Sequence, residues 1–117
     1  MEDKTLELAL LFDFFGDLLT PKQREAFDLY YNEDLSLSEI AEISGISRQG
    51  VRDFLVKAEK SLRELEEKTG VVARFVQVQH TLSEAEELAR ELIASSENEL
   101  TRQRAGKLLD ALESLKG

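Results

Sequence analysis

The sequence predicts an all-α fold built around a helix-turn-helix, with a helical extension at its C-terminal end. Residues 35–63 have the pattern of a short amphipathic helix, a glycine turn and a longer amphipathic helix. The 117 residues are 42% hydrophobic and 33% charged with one proline, a composition typical of helical globular proteins. Beyond Gly70, apolar residues again recur at intervals of three and four.

The composition excludes several classes of protein. The chain contains no cysteine, so neither a disulfide framework nor thiolate chemistry is available. The apolar run near its start is short and interrupted by Asp13, which fits neither a signal peptide nor a transmembrane helix. We therefore expect a cytoplasmic protein that does not insert into a membrane.

Two helices are predicted before the motif. The first spans Glu2 to Phe15, has an unusually wide apolar face and ends at Gly16. The second begins at Thr20, a favourable N-cap residue, followed by proline at the first helical position. Its predicted buried side consists of Ala26, Phe27, Leu29 and Tyr30.

The helix-turn-helix prediction comes from capping residues and glycine. Ser36 or Ser38 caps the first helix, Gly45 ends it in a left-handed conformation, and Ser47 caps the second helix. Ala41 is small enough for two helices to cross closely. The residues expected in the core of this motif are Ile40, Ala41, Ile46, Val51 and Phe54.

The segment after Gly70 predicts a C-terminal extension. Domains of residues 1–69 and 70–117 are expected, the second as a possible dimerisation arm. A heptad-like seam runs from Val71 to Leu92, either unbroken or restarted near Thr81, and a last helix covers residues 100–115. Two interpretations stay open: the seam packs back as core, or it mediates self-association. The wide apolar face of the first helix also favours a homodimer.

No enzyme site is predicted. The single histidine, His80, has no cysteine or second histidine beside it, so neither a histidine-based metal site nor a catalytic triad is expected. The acidic residues are spread over helix faces and pair with bases, as Arg63 does with Glu67 in the predicted helix. No glycine-rich phosphate loop is present, so we expect no cofactor and no enzymatic activity.

A family resemblance joins these patterns. The residues that carry it are Leu11-Phe12-Asp13-Phe14, Leu18-Leu19-Thr20, Lys22-Gln23, Leu29-Tyr30-Tyr31, Asp34-Leu35-Ser36-Leu37, Glu39-Ile40-Ala41-Glu42, Ser47-Arg48-Gln49 and Val51. On these residues the chain resembles the YlxM (p13-like) family of bacterial helix-turn-helix proteins, over about residues 5–67. That family is similar to the DNA-binding fourth region of sigma factors, so a winged helix is not expected. Gly50 departs from the family pattern, where alanine is usual, and residues after Gly70 match it only loosely.

The resemblance implies a regulatory protein. Family members are encoded beside the signal recognition particle GTPases, which implies a regulatory role in that pathway. The expected partners are DNA or the particle's RNA, and proteins of the particle. The alternative is a protein-protein interaction module that binds a component of the particle without nucleic-acid contact.

Charge places the candidate nucleic-acid site on the second helix of the motif. Residues 1–46 carry 11 acidic and 3 basic residues, a net charge of −8, whereas residues 47–63 have a net charge of +3. Basic residues on an exposed helix face can also serve solubility alone. If this helix enters a major groove, Ser47, Arg48, Gln49 and Arg52 read base edges, and Lys57, Lys60 and Arg63 contact phosphates.

Overall fold

A computed structural model describes residues 2–116, and the side chains of residues 5–116. Within this range every regular element is helical and no strand occurs, which confirms the predicted all-α fold. The α-helices are α1 (Glu2–Phe15), α2 (Pro21–Phe27), α3 (Leu37–Ser44), α4 (Arg48–Thr69), α5 (Val71–Ser95) and α6 (Glu99–Lys116). A 3-10 turn (Gly16–Leu18) follows α1, and a π-helical turn (Asp28–Asn32) follows α2.

The chain divides into two compact units, Met1–Val72 and Ala73–Gly117. In the first unit, α4 packs against α1, α2 and α3 and so forms the centre of the core. Phe27 is fully buried and its ring stacks on that of Phe12, with 4.6 Å between ring centroids. The buried core residues of this unit are Leu8, Leu11, Phe15, Leu19, Ala26, Phe27, Ile40, Val51, Leu55, Ala58, Leu62 and Val72.

The predicted core of the motif is only partly correct. Ile40 and Val51 are fully buried, as predicted. Ala41, Ile46 and Phe54 are half-buried and pack against the edge of the core. These three side chains lie where α3, the turn and α4 reach the surface of the unit, so solvent covers one side of each.

The predicted helix ends agree with the structure because they rest on local chemistry. Thr20 caps α2 in a capping box with Gln23, and proline occupies the first helical position. Gly70 ends α4 with φ 62°, in the left-handed region that glycine adopts without strain. Gly16 follows the end of α1, and glycine is favoured there for a steric reason, because a Cβ would lie 3.1 Å from the Phe12 ring.

Tyr30 does not occupy the position predicted for it. Tyr30 was expected in the core but is 37% exposed, whereas Tyr31 is half-buried with its ring 4.5 Å from that of Phe27. The cause is the π-helical turn, closed by the hydrogen bond from Glu33 N to Asp28 O at 3.1 Å. A π turn takes in one residue more than an α turn, so it rotates the following side chains about the helix axis.

The second unit contains two antiparallel helices, α5 from Ala73 onward and α6, joined by residues 96–98. Ion pairs show the direction: Glu86 pairs with Lys116 at 3.0 Å, and Arg90 with Glu113 at 3.7 Å. Ala89 and Ala105 are the buried apolar residues among the described part of this unit. The fully buried interior of the hairpin is therefore small, and the larger side chains Leu82, Ile93, Leu109 and Leu112 are only half-buried.

The structure decides between the two alternatives for the first helix of the extension. The helix does not restart near Thr81, because α5 runs unbroken from Val71 to Ser95 and the Thr81 hydroxyl donates to the carbonyl of Gln77 at 3.1 Å. The polar break before the last helix is present, and there Asn98 Oδ1 accepts the amide hydrogen of Leu100 at 3.0 Å. Along the predicted seam, Ala89 is buried, but Val71, Phe75, Val78 and Leu92 are each more than 40% exposed.

Candidate nucleic-acid interface

A capping box fixes the start of the motif. Ser36, not Ser38, caps α3: its Oγ accepts the amide hydrogen of Glu39 at 3.1 Å, and Glu39 Oε1 accepts that of Ser36 at 3.0 Å. The hydrogen bonds from Ser36 lower the pKa of the Glu39 carboxyl below its ordinary value. The acid thus stays ionised at the helix start, where the helix dipole also favours negative charge.

The turn between the two helices is set by Gly45. Its φ is 69°, and the amide hydrogens of Gly45 and Ile46 both bond the carbonyl of Ala41, at 2.9 and 3.2 Å. The Ser44 hydroxyl donates to Glu25 on α2 at 3.0 Å, which ties the end of α3 to the neighbouring helix. These bonds fix the angle at which α4 leaves the turn.

Ser47 begins α4 as its N-cap. Its Oγ accepts the amide hydrogen of Gly50 at 3.0 Å. The predicted base-reading residue Ser47 is therefore first a capping residue. Its hydroxyl hydrogen and its second lone pair are left to contact a ligand.

The exposed face of α4 displays most of the predicted site. Side chains advance by about 100° per residue around an α-helix, so Arg48 and Arg52 share one flank of α4. Gln49 lies nearer the centre of the exposed face, and Lys57 lies on the opposite flank from Arg48. All these residues, together with Lys60 further along, are exposed. The arrangement places cations on both sides of a polar centre.

Asp53 is a neighbour of the site that the sequence analysis missed. Its Oδ1 accepts a hydrogen bond from Gln49 Nε2 at 3.0 Å, one turn further along α4. The spacing of four residues was the signal that could have revealed it. The pair holds the Gln49 amide in place and puts a negative charge beside Arg52.

Arg63 differs from the other basic residues of α4 because it forms an ion pair with another helix. It is half-buried and its Nη1 lies 3.3 Å from Glu7 Oε1 on α1. The predicted pair of Arg63 with Glu67 is therefore wrong. Arg63 lies on the side of α4 that adjoins α1, and the two partners are 56 residues apart in sequence, beyond the reach of local spacing rules.

The charge of α4 changes sign along its length. Its first turns carry Arg48, Arg52 and Lys57, whereas Glu64, Glu66 and Glu67 follow Arg63. The helix dipole adds positive potential at the N-terminal end, where the first two arginines lie. Among the described residues, no ion pair engages either Arg48 or Arg52. The N-terminal turns are thus the electropositive end of the helix.

Tyr31 belongs to the packing of the unit beside this site. Its ring lies 4.5 Å from Phe27 and 5.0 Å from Tyr30, the latter edge to face. Burial raises the pKa of Tyr31 to about 12, and the charge of Glu59 and the hydrogen bond that the Tyr31 phenol donates to its carboxylate act in the same direction. Tyr31 thus links α4 to the turn after α2.

The described part of the chain shows neither a metal-binding cluster nor a membrane-spanning helix. In residues 2–116, no group of three or more metal-ligating side chains lies together. His80 lies on the surface of α5, with its Nε2 2.8 Å from Glu84 Oε1. None of the helices in the described range is long and apolar enough to cross a membrane.

Comparison with known proteins identifies the family. Residues 2–104 match the model of the UPF0122 family, described as "Putative helix-turn-helix protein, YlxM / p13 like". The UPF0122 protein of Thermoanaerobacter sp. (strain X514) is 52% identical over 82 residues, which cover 70% of each chain. That of Halalkalibacterium halodurans is 39% identical over 115 residues, 98% of this chain and 99% of the other. That of Bacillus cereus (strain AH187) is 38% identical over 115 residues, again 98% of this chain and 99% of the other. The chain therefore belongs to the UPF0122 family of YlxM/p13-like helix-turn-helix proteins.

Proposed function

We propose that this protein is a non-enzymatic, cytoplasmic helix-turn-helix regulator that binds nucleic acid through the N-terminal turns of α4. The observation that carries the proposal is the pair of exposed arginines, Arg48 and Arg52, at the electropositive N-terminal end of α4. This end directly follows the turn at Gly45. Residues 47–63 also form a basic stretch of net charge +3 in a chain of net charge −9. Helix-turn-helix proteins present this part of their second helix to the major groove.

In this proposal each side of the helix has its own role. With α4 in a major groove, Gln49 faces the floor of the groove. Its side-chain amide can then release its hydrogen bond to Asp53 and bond the edge of an adenine. Arg48 and Arg52 read base edges along one flank, and the Ser47 hydroxyl donates from the helix start. Lys57 and Lys60 contact phosphates, and Arg63 does so while paired with Glu7.

The expected affinity for random duplex is weak. The first 46 residues carry a net charge of −8, and Asp53 lies within the reading turn. Each acid near the duplex offsets part of the counterion release that drives non-specific binding. We therefore expect binding that depends on sequence or on RNA structure more than on charge alone.

The family resemblance supports a more specific setting. We propose that the nucleic acid is DNA or the signal recognition particle RNA, and that proteins of the particle are further partners in its regulation. In this proposal residues 1–69 form the binding domain, and residues 70–117 form an arm through which two chains associate. The exposed apolar residues of the arm support that role.

A second candidate function rests on the acidity of the first unit. With a net charge of −8 over residues 1–46, the surface beside α4 repels phosphates and attracts basic proteins. The chain would then bind a protein of the particle without touching nucleic acid. A pull-down from lysate with and without nuclease separates the two functions, because only nucleic-acid-tethered partners are lost after digestion.

Substitutions on α4 test the main proposal. Arg48→Ala and Gln49→Ala should each cost about 1–3 kcal/mol on the preferred sequence and little on others. Lys60→Ala should weaken all sequences alike and flatten the salt slope by about one unit. Arg74→Ala, at an exposed arginine on α5, is the matched control and should leave binding unchanged. Equal losses from the control and the three α4 variants would contradict the assignment of the site.

A further inference from the structure

One face of the α5–α6 hairpin exposes two parallel rows of apolar side chains. The leucines in these rows are 47–70% exposed. Within each row the residues are three or four apart, the spacing that keeps side chains on one side of a helix. The rows are Ala85, Leu88 and Leu92 on α5, and Leu108, Ala111 and Leu115 on α6.

The two rows share the same side of the hairpin. Ion pairs join the helices on the opposite side, where Glu86 meets Lys116 and Arg90 meets Glu113. Two residues turn a helix by about 200°, so Leu88 points away from both Glu86 and Arg90. By the same step Ala111 and Leu115 point away from Glu113. The hairpin therefore has one ionic face and one apolar face.

The hairpin needs more apolar burial than it has. Ala89 and Ala105 are its buried apolar residues in the described range, and both are small. Leu82, Ile93, Leu109 and Leu112 beside them are only half-buried, so the two helices gain limited stability from their own packing. Helical hairpins of this kind become stable when two of them join their apolar faces as a four-helix bundle.

The charges along the edges indicate which partner fits. Glu91 borders the apolar face on the α5 side and Lys107 borders it on the α6 side, whereas Arg104, four residues before Leu108, continues the α6 row toward the connecting loop. No ion pair among the described residues uses any of the three. Glu91 lies five residues before the connecting loop and Arg104 six residues after it, so both stand at a similar height along the hairpin. The face is therefore acidic along one edge and basic along the other.

We infer that the apolar face binds the same face of a second copy of this chain, about a two-fold axis parallel to the helices. This arrangement lays α5 of one copy over α6 of the other and brings Glu91 beside the basic edge of its partner. A two-fold axis perpendicular to the helices would instead oppose the two acidic edges and the two basic edges, which is unfavourable. The inference gives a surface and a geometry to the self-association proposed above, on which it rests.

The rows are short, so the association is of moderate strength. From Ala85 to Leu92, or from Leu108 to Leu115, each row spans about 10 Å at 1.5 Å per residue. An interface of this size belongs to the small, transient class. A dissociation constant in the micromolar range is therefore expected.

Sedimentation equilibrium of the full chain tests the surface. Leu88→Glu and Leu108→Glu each place a charge in the apolar face and should raise the dissociation constant about 100-fold or more. Leu18→Glu is the matched control, since Leu18 is 67% exposed against 62% for Leu88 but lies outside the hairpin. It should leave the dissociation constant unchanged. Circular dichroism of each variant verifies that the helices are retained.

Charge exchange tests the arrangement. Glu91→Lys or Arg104→Glu alone should weaken association several-fold, about tenfold at most, and the double variant should restore it. Because the chain has no cysteine, a mixture of Glu91→Cys and Arg104→Cys chains should form a mixed disulfide faster than either chain forms a disulfide with itself.

Different results would contradict the proposed self-association and the surface inferred for it. A monomer at all concentrations would overturn both the self-association and this surface. A dimer that Leu88→Glu and Leu108→Glu leave intact would overturn the surface alone. A monomer whose melting temperature falls on either substitution would show that the face is covered by the chain's own residues, which also overturns the inference. Nucleic-acid binding by α4 is measured separately, so none of these outcomes decides that proposal.

Discussion

Gly50, in the first turn of α4, gives the most specific stability prediction, because alanine is expected to fit there and to favour the helix. Glycine in a helix interior is about 1 kcal/mol less favourable than alanine. A Cβ at Gly50 would lie 3.3 Å from Ser47 Oγ and 3.6 Å from Ile46 Cδ1. The first contact is tight, so the Ser47 hydroxyl must shift slightly while it still accepts the Gly50 amide hydrogen. We therefore expect Gly50→Ala to stabilise the protein by about 0.5 kcal/mol, half of the full helix-propensity gain.

Gly45 supplies the matched control with the opposite sign. A Cβ there would meet nothing within 4 Å, so the substitution creates no clash. Its φ of 69°, however, lies in the left-handed region, which costs a residue with a Cβ about 1–2 kcal/mol. Gly45→Ala should therefore destabilise the protein for backbone reasons alone.

Urea unfolding of the full chain, followed by far-ultraviolet circular dichroism, measures both effects. With a slope of about 1–3 kcal/mol per molar urea, Gly50→Ala should raise the midpoint by about 0.2–0.5 M. Gly45→Ala should lower it by a larger amount. A Gly50→Ala midpoint that falls as far as that of Gly45→Ala would refute the reasoning, since Ser47 could then not yield without loss of the cap.

Two further predictions concern the core and the pH dependence of stability. Phe54→Ala should lower the free energy of unfolding by about 2–3 kcal/mol and Phe27→Ala by about 3–5 kcal/mol, because Phe54 is half-buried and Phe27 is fully buried. Urea unfolding measures both losses, and equal losses would contradict the observed burial. Because the pKa of Tyr31 is raised from 10.0 to about 12 in the folded protein, its contribution to stability is complete below pH 10 and is lost as the pH rises through 12. An absorbance titration should show a phenol ionising near pH 12 that is missing from Tyr31→Phe, and its persistence in that variant would refute the assignment.

Helix limits could be predicted because their causes are local. Thr20, Ser36 and Ser47 each accept an amide hydrogen three residues ahead, and Gly45 and Gly70 adopt positive φ. Each of these is a property of a few consecutive residues, so the sequence contains the whole signal. The buried stripe of α4 follows in the same way from the helical period.

The structure differs from the predictions at residues whose surroundings are not set by neighbouring sequence alone. The π turn at Asp28–Asn32 rotates Tyr30 out of the core, and no local residue pattern predicts this turn. Arg63 pairs with Glu7 rather than with Glu67 because the packing of α1 on α4 brings that carboxylate within 3.3 Å. The half-burial of Phe54 likewise depends on where neighbouring helices end.

The candidate site was predictable in position but not in detail. The helical period puts Arg48, Gln49 and Arg52 on the exposed side of α4, and the structure has them there. The hydrogen bond from Gln49 to Asp53, however, depends on side-chain rotamers that spacing alone does not select. The roles of these residues toward a nucleic acid stay predictions.

The central claim, that α4 binds nucleic acid, is tested most directly by titrating the full chain against random DNA duplex and against signal recognition particle RNA at two salt concentrations. The proposal predicts weak binding to the random duplex, measurably tighter binding to the particle RNA or to a selected DNA site, and affinities that fall with salt. The fall should be smaller for Lys60→Ala. Negligible binding to every nucleic acid at both salt concentrations would contradict the claim and leave the protein-binding function in its place.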